Sequence, residues 1–173
     1  ARHSQYKLDE DLRCLHQMYP VIAVWDDHET SNNSYKDGAE GHDSGDGDWE
    51  DRKGFGVQAY YEWMPIRQSD PNNPLRIYRT INYGNLLDLI MLDTRLIGRD
   101  EQDLGATNDA NRDMLGQAQL GWLASEMRNS NAQWKILGQQ VMMAPLEIPF
   151  VGPLNGDAWD GYNAERERVY DSI

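Results

Sequence analysis

At 173 residues the chain is long enough for one domain with a sizeable core. Hydrophobic residues make up 39% of it and aromatics 10%, which excludes a disordered chain. A formal net charge of −13 and a pI of about 4.5 argue against nucleic acid or an anionic membrane as a non-specific partner.

Residues 8 to 18 predict a helix. Leu8, Leu12 and Leu15 share one face, and Asp9, Glu10 and Asp11 suit the positive N-terminal end. Cys14, the only cysteine, rules out an internal disulfide and is expected as a buried thiol in that helix. Pro20 stops the helix. Val21-Ile22-Ala23-Val24 then reads as a buried strand that releases Trp25-Asp26-Asp27-His28-Glu29 at its C-terminal end. Residues 30 to 51 are polar and glycine-rich, with no period, and predict a long loop. Within it Asp43, Asp46, Asp48 and Glu50 miss the EF-hand spacing and read as solvated charge.

Residues 52 to 63 predict a second helix, ending before Pro65, and residues 69 to 74 a turn. Arg76 to Ile81 alternates as a half-buried strand does. Asn82 to Asn85 reads as a hairpin turn. Leu86 to Leu92 follows as a nearly all-apolar strand that ends in Asp93-Thr94-Arg95. A polar stretch from Gly98 to Asp113 leads to a helix with Leu120, Leu123 and Met127 on one face. Trp134 to Val141 is the last predicted strand, residues 145 to 161 an irregular segment, and residues 163 to 173 a final helix. The sum is mixed α/β. No run approaches membrane-spanning length, and Ala1-Arg2-His3-Ser4 does not read as a signal peptide.

The chemistry concentrates in residues 25 to 29. Open α/β sheets place their working residues at the C-terminal ends of strands. Four adjacent titratable side chains repel one another unless something compensates them, and a bound cation is the usual compensator. Carboxylates with an imidazole can hold a hard or borderline cation. A His followed by Glu can equally be an acid whose imidazolium a carboxylate supports near neutral pH. Metal and acid together suit phosphate-ester hydrolysis. The competing reading is a solvated acidic loop with an incidental His.

Arg95, at a strand end, is expected either to contact phosphate or to pair with Asp93. Lys36 reads as a surface residue. His42 is the one other His with any claim on the site, and Tyr60, Tyr61, Trp63 and Met64 read as core. Gly54 and Gly56 follow no strand, so a nucleotide fingerprint is unsupported.

Five segments in order resemble the PhoD-like alkaline phosphatase and phosphodiesterase family. They are Trp25 to Glu29 with Asn32-Asn33 behind, Ala59 to Pro65, Met91 to Arg95, Leu115 to Leu123, and Trp134-Lys135. The resemblance covers nearly the whole chain. It implies a calcineurin-like metallophosphoesterase fold, a four-layered α/β sandwich with its metal centre at strand ends. It further implies a secreted or periplasmic hydrolase of small or polymeric phosphate esters that uses Fe³⁺ and Ca²⁺.

Carried onto this chain, Asp27 stands where the superfamily has a metal-binding Asn, with Asp26 beside it as a further metal-site residue. His28 stands as the catalytic His and Glu29 as its orienter. The family's upstream Gly-Asp metal motif is expected before residue 1 and its downstream Gly-Asp-x-His motif after Ile173. The chain is therefore expected to form part of one catalytic domain, incomplete in metal ligands and inactive alone. The rival expectations are a non-catalytic binding module on the same scaffold, and a metal-free hydrolase using paired carboxylates.

Overall fold

The structure, a computed structural model, describes residues 2–148, 150 and 152–173. Ala1 of the N-terminal tetrapeptide, and Pro149 and Val151 of the expected irregular segment, lie outside the described residues.

Two short helices open the chain, α1 (Arg2–Tyr6) and α2 (Glu10–Met18). Asp9 caps α2, its carboxylate accepting the Leu12 N–H at 2.9 Å. The predicted apolar face of α2 is not core: Leu12 is half-buried and no residue of the helix is fully buried. Leu8, Leu15 and Met18 are exposed, and so is Cys14, against the expectation of a buried thiol.

The predicted strand at 21 to 25 is not one. Residues 20 to 25 carry no regular secondary structure and join no ladder among the described residues. Arg79 Nη2 holds the segment from the side, donating to the Ala23 carbonyl at 2.8 Å. An apolar run signals burial on two faces and says nothing of which chain segment supplies the neighbouring rungs.

The loop 30 to 51 contains a small ribbon, β1 (Ser34–Tyr35) with β2 (Gly38–Ala39). The long helix α3 (Trp49–Trp63) follows and starts three residues before its predicted N-terminus. Its cap explains the difference, because Asp48 accepts the Asp51 N–H at 3.1 Å. The other loop acids are also occupied locally. Asp46 pairs with Arg52 and Glu50 with Lys53.

The sheet has the order β3 (Arg79–Tyr83), β4 (Leu87–Met91), β5 (Trp134–Gly138). β3 and β4 form an antiparallel hairpin, and β4 runs parallel to β5. The helix α4 (Gly116–Asn129) lies in the crossover between β4 and β5. β3 begins at Arg79 and not Arg76 because the Arg76 and Ile77 N–H groups are spent on the turn carbonyls of Asn73 and Leu75. β5 ends at Gly138, whose carbonyl takes the Leu92 N–H at 2.8 Å, so the predicted tail to Val141 leaves the ladder. A last ribbon, β6 (Glu147–Ile148) with β7 (Gly152–Pro153), precedes a 3₁₀ turn (Trp159–Tyr162) and α5 (Asn163–Ser172).

Two apolar clusters hold these pieces. One joins Ile90 and Leu92 to Met114, Leu115, Leu123, Trp159, Tyr162 and Val169. The other gathers Trp25, Trp49, Val57, Tyr60, Ile77 and Leu96. The second positions the site, because Trp25 is 1% exposed and Asp26 follows it directly. Burying an indole and ordering its neighbours ties the start of the charged turn to the core.

Candidate functional site

Trp25 meets Tyr60 and Tyr61 of α3 edge-on, at centroid separations of 5.6 and 6.1 Å. Tyr60 is therefore core, as expected, with Tyr61 and Met64 half-buried against it, whereas Trp63, also expected as core, is exposed; α3 forms the floor beneath residues 25 to 30. Gly56 makes that approach possible. A Cβ there would lie 2.6 Å from Thr30 Cγ2 and 3.0 Å from the Glu29 carbonyl oxygen.

Beyond Trp25 the chain closes into a tight turn. The Asp27 carbonyl accepts the N–H groups of Thr30 and Ser31 at 2.9 and 2.8 Å. The Asp27 carboxylate folds back over the turn. Its Oδ1 accepts the His28 N–H at 3.0 Å and its Oδ2 the Asn33 N–H at 2.8 Å. Asn33 sits at φ 51°, a left-handed conformation that Asn tolerates better than most residues. Burial pushes the Asp27 carboxyl up, but the Asn33 N–H and the charges of Arg95 and His28 outweigh it and hold the group below its usual range.

The His28 side chain stands 76% exposed above this turn. Its Nε2 lies 3.1 Å from Asn32 Oδ1 and 3.8 Å from Asp27 Oδ2. The Asn32 amide can be oriented from its other end, where Nδ2 donates to Glu40 Oε2 at 3.3 Å. Its Oδ1 is then the acceptor, and Nε2 must carry the proton. The Asn32 bond, followed by the Asp27 charge, raises the His28 pKa above the ordinary imidazole value. Glu29 makes no hydrogen bond to the His28 ring. Its Oε2 accepts the Asp26 N–H at 2.8 Å and closes the turn from below. Asn32, held by Glu40, is the side chain that meets the ring. Asn32 stood inside the motif, but Glu40 arrives from beyond the β1–β2 ribbon and carried no sequence signal.

Arg95 lies at the exit of β4 with its side chain 3% exposed. Of its two expected roles the structure displays ion pairing, with Asp26 and Asp157 in place of Asp93. Nε donates to Asp26 Oδ1 at 2.6 Å, while Nη1 and Nη2 donate to Asp157 Oδ1 and Oδ2 at 2.7 and 2.9 Å. Asp93 instead accepts the N–H groups of Arg95 and Leu96 at 2.8 and 3.1 Å. Gln119 of α4 holds the same turn, accepting the Asp93 N–H and donating to its carbonyl at 2.8 and 2.7 Å. Lys36 pairs with Asp100, and His42 lies against Arg52 and Trp49. Neither contacts the cluster.

Among the described residues no group of three or more His, Cys, Asp or Glu side chains could hold a metal ion. Asp26 is engaged by Arg95, and each Asp27 oxygen already accepts one N–H, although a carboxylate has lone pairs to spare. These residues therefore do not form an iron or calcium centre by themselves. What the turn does form is an exposed, proton-bearing imidazole beside a deprotonated carboxylate.

A mixed α/β scaffold with such a turn at its rim defines a candidate acid–base site. The family model of the PhoD-like phosphatases matches residues 1–173. Alkaline phosphatase D of Bacillus subtilis (strain 168) is 38% identical over 187 residues, covering 99% of this chain and 31% of that protein. A solved structure described as that of PhoD superposes with a TM-score of 0.88 at 36% identity, covering 99% of this chain and 35% of the solved one. The chain belongs to the PhoD-like phosphatase family, and its fold is the incomplete metallophosphoesterase-type α/β sandwich that its sequence resembles. It spans about a third of the length of the relatives it matches.

Proposed function

We propose that the intact protein hydrolyses phosphate esters, monoesters or diesters, in a metal-dependent reaction, and that residues 1 to 173 form part of its single catalytic domain. Family membership supports the phosphatase reading. The observation that carries this chain's own role is the held imidazole. His28 Nε2 keeps a proton against Asn32 Oδ1 at 3.1 Å while the ring faces solvent. An imidazolium placed there keeps that proton against Asn32 and can donate its other one, from Nδ1, to a departing ester oxygen, lowering the barrier to P–O cleavage. Asp27 steadies the positive charge and supplies the chain's best-placed oxygens for a metal. Asp26 and Glu29 set the geometry of the turn. The Fe³⁺ and Ca²⁺ of the resemblance would take most of their ligands from residues other than those described. A secreted or periplasmic setting belongs to the same reading.

A metal-free carboxylate pair is less well supported. It needs one carboxylic acid held protonated near neutral pH, whereas Asp27 is held below its usual range and Asp26 is committed to Arg95. The test is hydrolysis of p-nitrophenyl phosphate and bis(p-nitrophenyl) phosphate by the intact protein, before and after chelation. Turnover that disappears with the metals and returns when they are restored is the expected result. Undiminished turnover after complete chelation would favour the metal-free hydrolase, and no turnover on either ester the non-catalytic module.

A further inference from the structure

We propose that Asp157 is a positioning residue for the Asp26–Glu29 turn, acting through Arg95. This rests on the reading of that turn as the catalytic site. Asp157 belongs to the segment between β7 and the 3₁₀ turn, 62 residues from Arg95 in sequence. Its own N–H donates to Asn155 Oδ1 at 3.0 Å, which shapes the local turn.

Asp157 takes both terminal nitrogens of Arg95, at 2.7 and 2.9 Å. Two parallel bonds to one carboxylate fix the plane of a guanidinium as well as its place. The plane so fixed aims the remaining Nε–H at Asp26 Oδ1, 2.6 Å away. Arg99 braces Asp157 in turn. Its Nη2 donates to Asp157 Oδ1 at 2.7 Å and its Nη1 to the Asp157 carbonyl at 3.1 Å. Arg95 and Arg99 are both buried, so Asp157 also separates two like charges that would otherwise repel.

The chain of contacts ends in the site. Asp26 is the first residue of the turn, and its N–H is clasped by Glu29 at 2.8 Å. Displacing Asp26 displaces the two residues between, Asp27 and His28. Without Asp157, Arg95 has one carboxylate left, half-exposed Asp26, and nothing holds its plane. The imidazole then loses the fixed position that proton transfer requires.

The test compares Asp157→Asn with Asp160→Asn in the intact protein. Asp160 lies three residues on, in the 3₁₀ turn, and pairs with buried Arg166 at 3.2 Å, but it has no bond to the Asp26–Glu29 turn. Asp157→Asn is expected to lower kcat by about 10- to 100-fold, the usual loss when a supporting partner is removed. KM for the chromogenic ester should change less than about threefold, because the interaction lost is one that matters in the transition state. Asp160→Asn should lower Tm and leave kcat within about threefold of wild type.

Backbone amide exchange over residues 26 to 33 should quicken in Asp157→Asn and not in Asp160→Asn. If Asp157→Asn does not fold, Asp157→Glu keeps the charge and shifts the carboxylate by one methylene; its kcat should still fall below wild type. Wild-type kcat in whichever Asp157 variant folds, or equal kcat losses in Asp157→Asn and Asp160→Asn, would overturn the proposal. A wild-type protein that hydrolyses no ester would instead defeat the catalytic reading. Amide exchange would then decide the positioning role alone, and unchanged exchange in Asp157→Asn would overturn it.

Discussion

Replacing His28 by alanine in the intact protein is expected to lower kcat by about 10²- to 10⁴-fold, the usual loss of a proton donor. Metal content should stay near wild type. The His28 ring is exposed and its polar contacts are Asn32 and Asp27, so removing it unfolds nothing and strips little from a metal site. Asp27→Ala is expected to behave differently. Its carboxylate closes the turn through the His28 and Asn33 N–H groups, and it is the metal donor proposed above. That variant should lose turnover and metal together. Elemental analysis alongside steady-state kinetics separates the two roles. Equal metal loss in both variants would show that they are assigned wrongly.

Residues 1 to 173 expressed alone are expected to hydrolyse no phosphate ester at a useful rate, even with iron and calcium supplied. No three donor side chains converge among the described residues, whereas two-metal chemistry draws carboxylates and histidines from several strand ends. The fragment should also be poorly soluble or partly unfolded. Leu86, just before β4, and Trp134 and Ile136 of β5 lie exposed, and β5 has no partner on its outer edge among the described residues. An open apolar edge invites association between chains. Near-UV dichroism and a chromogenic assay of the fragment check both points. A well-folded fragment with robust hydrolysis would mean that these residues contain a complete site.

Much of the fold was legible because helix caps and hydrophobic periods are local. Asp9 and the Leu8–Leu15 face placed α2, and the hairpin of β3 and β4 followed from its flanking patterns. What was missed was non-local. Val21 to Val24 is apolar enough for a central strand, yet a ladder depends on neighbours that no local pattern names. Cys14 was expected inside because its helix is amphipathic, but an apolar face becomes core only where something covers it.

The site divides in the same way. The turn itself could be read from Trp25 to Glu29, since its charges are contiguous. The partner of His28 could not. Glu29 is adjacent in sequence, but the turn directs its carboxylate back to the Asp26 N–H, and the ring meets Asn32 one helical turn on. Asp157 comes from a Pro/Gly segment with no period, and the Asn-Gly-Asp turn that carries it is indistinguishable in sequence from an ordinary surface turn.

The central claim is that His28 and Asp27 face the reacting phosphate. It is tested most directly by a crystal structure of the intact protein with bound phosphate or a phosphate analogue. The account predicts a His28 ring nitrogen about 2.6–3.2 Å from an anion oxygen, or joined to it by one water, with the Asp27 carboxylate on the same anion–metal assembly. A His28 ring turned to solvent, more than about 10 Å from the anion and from any metal, would contradict it.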